Sequence, residues 1–315
     1  MLSYRIQYLL ICLMLWAGLA CGRKGSSVDA PRRDSPIAPQ SLERVRLIVM
    51  GDTGLPGPEM ETLNKTLQTE AAEYVLVLGD LVYETGPACP DGRAKGEALR
   101  ILDERLYGTI GKLERPTLLA LGNHDLAHRP KDAAREACYL DYASQHANLI
   151  FPDLFYTVEL GVVTLVVLNT NQLTSEQATT VQAAFEESKG WKILAGHHVL
   201  KTYHDKESED LLHPWFQKHG LAPDFYFGGH AHFQQFGRYA GIFALTSGST
   251  AKIRTRPSCP PTCGPGQMWG QSTRGYALVD ATPDNVSITF KGIDGTPLWH
   301  WSSRGGAQPS GVNTK

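Results

Sequence analysis

Carboxylates, carboxamides and imidazoles recur along this chain in one setting: GDTG at 51–54, GDLVY at 79–83, GNHD at 122–125, GHH at 196–198 and GHAH at 229–232. Each follows an apolar run, so each delivers polar side chains where a short buried strand ends. Oxygen and imidazole donors suit hard or borderline cations, and hydrolytic sites built on two cations need two such sets about 3.5–4 Å apart. The candidate ligands are Asp52, Asp80, Tyr83, Asn123, His197, His230 and His232. Glycine stands directly before Asp52, Asp80, Asn123, His197 and His230, where it lets the chain turn sharply off a strand and brings backbone close to a bound group.

Positioning these residues falls to an alternating frame. Apolar runs at 45–50, 74–78 and 117–121 read as strands, with helical stretches at 59–72 and 94–111 between them, and such alternation implies a parallel sheet. Runs 155–160 and 162–168 around Gly161 signal a hairpin, so antiparallel strands enter here. A helix starts at Thr174: Thr174 and Gln177 have capping-box spacing, Leu173 and Ala178 can form the staple, and Val181 and Phe185 continue one apolar face. Strands at 191–195, 224–227, 242–246, 276–280, 286–290 and 298–301, with a short helix at 209–219, complete a mixed α/β domain. The stretches 84–92 and 254–275, rich in Gly, Pro and Cys, read as loops, either rim elements of a site or ordinary surface excursions.

With 315 residues, 42% hydrophobic and 20% charged, the chain has the composition of a soluble globular protein. A formal charge of -2 leaves no electrostatic reason to expect nucleic acid as a partner. Arg5 followed by the apolar stretch 8–20 reads as an export signal, short for a membrane span. Gly18-Leu19-Ala20-Cys21 resembles a bacterial lipoprotein processing site, with Gly18 departing from the usual Leu; ordinary signal cleavage is the alternative. The expected organisation is a signal peptide at 1–21, a flexible linker at 22–43, a catalytic domain at 44–302 and a tail at 303–315. The location is then periplasmic or cell-surface, with membrane contact only through a lipid on Cys21. Cys89, Cys138, Cys259 and Cys263 suit disulfides in an oxidising compartment. The stiff turn Pro260-Pro261-Thr262 favours Cys259 with Cys263, leaving Cys89 with Cys138 to pin two loops.

In order and spelling the clusters resemble the metallophosphoesterase superfamily, and Tyr83 in GDLVY narrows the resemblance to its purple acid phosphatase branch. It covers 44–249, including SGS at 247–249. The resemblance implies two mixed β-sheets packed face to face and flanked by helices. It implies that Asp52, Tyr83 and His232 bind a first metal, that Asp80 bridges, and that Asn123, His197 and His230 bind a second. The family's first metal is Fe(III), and its second is Fe(II), Zn or Mn.

The implied chemistry is hydrolysis of a phosphomonoester by in-line attack of a metal-bound hydroxide, with His124 beside the phosphate oxygens. A trivalent and a divalent ion facing two carboxylates, one tyrosinate and a hydroxide leave roughly one positive charge for the anionic substrate, and a tyrosine (pKa ~10) ionises there only because a cation stabilises it. His124 and His204 are the candidate acids for the leaving group, with Asp125 expected to orient His124. Thr53 replaces a common Trp, Val199 replaces a turn-fixing Pro, and His204 follows His197 more closely than is usual. Adjacent His197 and His198 on an extended segment point opposite ways, so His198 is left as packing or pocket wall. Asn169 reads as a buried turn residue, and His128, His146, His213 and His219 as solvated histidines. A phosphodiesterase or nucleotidase on the same metals, or a non-enzymatic surface binding protein of this fold, are the alternatives.

Overall fold

The computed structural model describes residues 43–202, 211–304 and 306–308. The signal, nearly all of the linker, His204 and the chain beyond 308 lie outside the described residues.

The first half alternates as its apolar runs require: β1 (Val45–Met50), α1 (Pro58–Thr69), β2 (Tyr74–Leu78), α2 (Glu97–Leu102), β3 (Thr117–Ala120), α3 (Ala133–Ser144) and the short β4 (Leu149–Ile150). Then come β5 (Tyr156–Glu159), β6 (Val163–Val167), α4 (Ser175–Glu187), β7 (Trp191–Ala195), α5 (Leu212–His219), β8 (Phe225–Gly228), β9 (Gln234–Tyr239) and β10 (Ile242–Ser247). The last part is all strand: β11 (Gln267–Gln271), β12 (Gly275–Thr282), β13 (Asn285–Gly292), β14 (Pro297–Ser302) and β15 (Gly306–Gln308).

These strands make two mixed sheets, an eight-stranded one ordered β15-β14-β13-β12-β1-β2-β3-β4 and a seven-stranded one ordered β11-β9-β10-β8-β7-β6-β5. Strands β1 to β4 run parallel, as do β6, β7, β8 and β10, while β12 joins β1 antiparallel. Strand alternation explains the layering, because successive side chains leave on opposite faces. From the second sheet, Val163, Leu165, Val167, Ile193, Ala195, Phe225 and Phe227 join the core shared with the first sheet. Their neighbours Val166, Leu194 and Tyr226 pack instead with Val181 and Phe185 of α4 and with Trp215 and Phe216 of α5. Met60, Leu63 and Leu67 of α1 and Tyr139 and Tyr142 of α3 are buried with the first sheet's strands, so helices flank both sheets.

Several local expectations hold at their residues. Thr174 caps α4 by accepting from the Gln177 amide at 3.2 Å. The hairpin about Gly161 pairs Tyr156 with Val167 through Glu159 with Thr164. Both disulfides join the expected partners, Cys89 with Cys138 and Cys259 with Cys263. Among the described residues no helix is long and apolar enough to cross a membrane.

Other expectations are corrected. The helix at 94–111 is shorter and broken, because α2 widens into a π-type turn, Asp103–Tyr107, where the Thr109 hydroxyl bonds back to the Arg105 and Leu106 carbonyls. The loop at 254–275 contains β11, and β15 pairs with β14 inside the stretch expected as tail.

Candidate metal centre

The parallel strands of both sheets end on one side, and each polar cluster begins where its strand stops: β1 at Asp52, β2 at Asp80, β3 before Asn123, β7 before His197 and β8 before His230. Open α/β sheets place ligands at such carboxyl ends. Two Gly-Asp turns are tied together there, the Asp52 amide donating to the Gly79 carbonyl at 3.0 Å and the Gly54 amide to the Asp80 carbonyl at 3.1 Å. This sets their carboxyl groups side by side, both essentially without solvent contact. Asp52, Asp80, His230 and His232 all have left-handed backbones, with φ of 61°, 53°, 60° and 50°. An L-residue adopts that region at roughly 1–2 kcal/mol, so strain is concentrated on the candidate ligands.

Their polar atoms fall into two groups. In one, the Tyr83 Oη lies 2.7 Å from Asp52 Oδ1, 2.7 Å from Asp80 Oδ2 and 3.0 Å from His232 Nε2, and His232 Nε2 is 3.1 Å from Asp52 Oδ1. In the other, Asn123 Oδ1 lies 2.9 Å from His197 Nε2 and 3.0 Å from His230 Nδ1, and those two nitrogens are 3.1 Å apart. Asp80 belongs to both, because its Oδ1 is 3.4 Å from His197 Nε2 while its Oδ2 faces Tyr83. Asp52, Asp80 and His197 can place one ligand atom each within 4.8 Å of one another.

The donors fit cations. His197 Nδ1 sits 2.8 Å from the Leu78 carbonyl, which can only accept, so the ring proton is on Nδ1 and Nε2 presents a lone pair. That lone pair faces the Asn123 carbonyl oxygen and an Asp80 oxygen, a convergence of acceptors that a positive ion satisfies. Separations of 2.9–3.1 Å among Asn123, His197 and His230 agree with the edges of about 2.9–3.3 Å that bonds of 2.0–2.1 Å produce. Electrostatics point the same way. Burial, then the charges of Asp52 and Asp125, pushes the Asp80 carboxyl well up. Burial also works to raise Asp52, but the hydrogen bond from His232 and the neighbouring imidazoles outweigh it and hold that carboxyl low. Burial followed by both carboxylates pushes the Tyr83 phenol up, and burial pushes the His197 imidazole well down. Among the described residues no Lys or Arg pairs with Asp52 or Asp80, so a bound cation is the natural counter-charge.

The calcineurin-like phosphoesterase model matches residues 45–234, a span that holds every candidate ligand. The chain belongs to that family. It is similar to purple acid phosphatase 4 of Arabidopsis thaliana, with 23% identity over 329 aligned residues covering 95% of this chain and 93% of the relative. The purple acid phosphatase PPD1 from yellow lupin (Lupinus luteus) seeds has the same fold, with a TM-score of 0.63 at 15% identity. That likeness covers 85% of this chain and 55% of the lupin one, so the chain spans about half the length of that structure. GAP50, the anchor in the inner membrane complex of Plasmodium, superposes with a TM-score of 0.58 at 11% identity, covering 86% of this chain and 90% of that one.

Around the candidate ligands, this phosphoesterase departs from its sequence-based expectations at Asp125. The Asp125 carboxylate does not orient His124. Its Oδ1 accepts from the Leu81 and Val82 amides at 2.9 and 3.0 Å and from the Tyr139 hydroxyl at 3.0 Å, and its Oδ2 accepts from the Gly122 amide at 2.7 Å. Asp125 therefore joins the Asp80 turn to the Asn123 turn, and burial pushes its carboxyl up to about 7 against those amide bonds. His124 is held instead by the Glu84 carbonyl, 2.5 Å from its Nδ1, while its amide donates to Asp80 Oδ1 at 3.0 Å.

The loop at 84–92 lies on the rim: the Gly86 amide donates to the His124 carbonyl, and the Arg105 guanidinium donates to the Tyr83 carbonyl. Lys252 bonds both Glu84 carboxylate oxygens at 2.7 Å and stands 3.9 Å from the Tyr83 ring centre. The segment at 254–275 reaches the rim through the Arg254 amide, which donates to the His232 carbonyl.

His198 packs on His197 and His230 with ring centres 5.3 and 4.8 Å away, and its Nδ1 lies 2.9 Å from the Thr170 hydroxyl. Asn169 is a buried turn residue bonded to Asn171 and Gln177. His128 is exposed, as expected, and from the surface it packs on His124 with ring centres 4.3 Å apart and touches Asn123. Its sequence context holds no signal for this.

Proposed function

We propose that this phosphoesterase is a two-cation phosphatase acting on phosphomonoesters, with Asp52, Tyr83 and His232 on the first ion, Asn123, His197 and His230 on the second, and Asp80 shared. The observation that carries the reading is the division of Asp80, one oxygen toward Tyr83 and the other toward His197. Bound there, an Fe(III) with Fe(II), Zn or Mn would supply an acidified water and positive charge for a phosphate. The chain's own residues do the rest.

Asp52 and Asp80 are the carboxylates of the ligand set, and Asn123 with the imidazoles adds donors without negative charge, which keeps the site attractive to an anion. His124, with Nδ1 committed to the Glu84 carbonyl, has Nε2 for a phosphate oxygen or the leaving oxygen. His204 is the second candidate acid. The leader and the paired cysteines support an exported location, periplasmic or at the cell surface.

A fold shared with an anchor protein does not by itself select hydrolysis. The cluster of buried charge supports hydrolysis over a binding role, which would not require it. Rates on a phosphomonoester, a phosphodiester and a pyrophosphate with metal-loaded protein test the reading. It expects the monoester to be fastest. A faster diester would reassign the substrate class, and two tightly held ions with no turnover on any substrate would favour the anchor role.

A further inference from the structure

Asn123 can serve a cation only through its Oδ1, and nothing in the shape of a carboxamide distinguishes Oδ1 from Nδ2. Something must fix the amide. His128 Nδ1 lies 3.0 Å from Asn123 Nδ2, on the side away from the oxygen that meets His197 and His230. Because Nδ2 can only donate, His128 Nδ1 must accept, which places that ring's proton on Nε2.

The backbone at His128 is held in an unfavourable conformation to achieve this. Ala127 and His128 have successive left-handed φ values of 53° and 58°, a region L-residues avoid. The turn is tied by the His128 amide donating to the Asn123 carbonyl at 2.7 Å and the Ala127 amide to the His124 carbonyl at 3.1 Å. Strain of this kind persists where surrounding contacts impose it, and here it brings the imidazole against both Asn123 and His124. Glycine would meet the conformational demand of the turn at less cost, so the side chain at 128 has another use.

The geometry points to His128 as a positioning residue that locks the Asn123 carboxamide with its oxygen turned to the second cation. This rests on the proposed role of Asn123 as a ligand. A flipped amide would offer the ion N–H groups in place of a lone pair, and partners behind metal ligands typically contribute 10–100-fold in affinity.

Zinc(II) titration of the full-length protein against a competing chelator, together with thermal unfolding, tests the assignment in wild type, His128→Gly and His128→Asn. His128→Gly relieves the left-handed strain and removes the acceptor; it should unfold no earlier than wild type yet bind one of two zinc ions about 10–100-fold more weakly. His128→Asn returns an acceptor oxygen to the position of Nδ1 on a residue that tolerates this φ, and should bind both ions close to wild type. Wild-type affinities in His128→Gly, equal weakening of both ions, or no recovery in His128→Asn would overturn the lock alone. Uptake of a single zinc by the wild type would overturn the two-ion reading and the lock with it.

Discussion

Gly122 presses its bare α-carbon against Asp80: a Cβ there would stand 2.1 Å from Asp80 Oδ1 and 2.4 Å from the Asp80 amide nitrogen. The space is taken by a buried carboxylate and backbone, neither able to retreat. Gly122→Ala should therefore lose stability by about 1–3 kcal/mol and displace the shared carboxylate as well. Denaturant unfolding read beside metal content checks this, and unchanged metal content would show that Asp80 has room the structure denies it.

Asp80→Asn leaves the fold's shape intact but removes the charge between the two donor groups. Turnover should fall by more than about 100-fold, beyond the effect expected for a partner behind the ligands. The comparison to make is single-substrate kinetics of Asp80→Asn against His204→Ala, with the first far more damaging. Comparable rates for Asp80→Asn and wild type would remove the shared-ligand model.

Tyr83 places one hydroxyl 2.7 Å from each of two buried carboxylates, where burial and both charges oppose its ionisation. A tyrosinate forms there only against a strong cation. Iron-loaded protein should absorb visible light, and Tyr83→Phe should lose that band. A colourless, active protein holding zinc or manganese alone would contradict the iron assignment.

Away from the site, the Glu70 carboxylate accepts from Lys291 Nζ at 2.6 Å and from the Tyr276 hydroxyl at 2.5 Å. Burial works to raise its pKa, but these partners outweigh it and hold the group below its ordinary 4.5. A depressed carboxyl contributes stability above its unfolded pKa and loses it as pH falls through the folded value. Glu70→Gln should cost on the order of 1 kcal/mol near neutral pH, and that difference should vanish in acid below the ordinary carboxyl range. Melting curves of the two proteins across pH decide it; a difference that grows on acidification would reverse the sign.

The strands that lead to the candidate ligands were legible because largely buried parallel strands are short, mostly apolar runs, and β1, β2 and β7 match theirs residue for residue. Strands β9 and β11 were not, because their buried positions include Gln234, Gln235 and Gln267, which break the apolar pattern. Helix α3 did carry a signal in Asp132, whose side chain caps it, followed by buried Cys138, Tyr139, Tyr142 and Ala143 at helical spacing. The candidate ligands were readable from glycine-punctuated strand ends. The work of Asp125 and His128 was not, since it depends on amides from another turn and on two left-handed residues that local composition does not announce.

Anomalous scattering from a crystal grown with iron and zinc measures directly whether Asp80 lies between two cations. Two peaks about 3.5–4 Å apart are expected, one beside each Asp80 oxygen. A single peak, or two peaks of which only one touches Asp80, would contradict that placement.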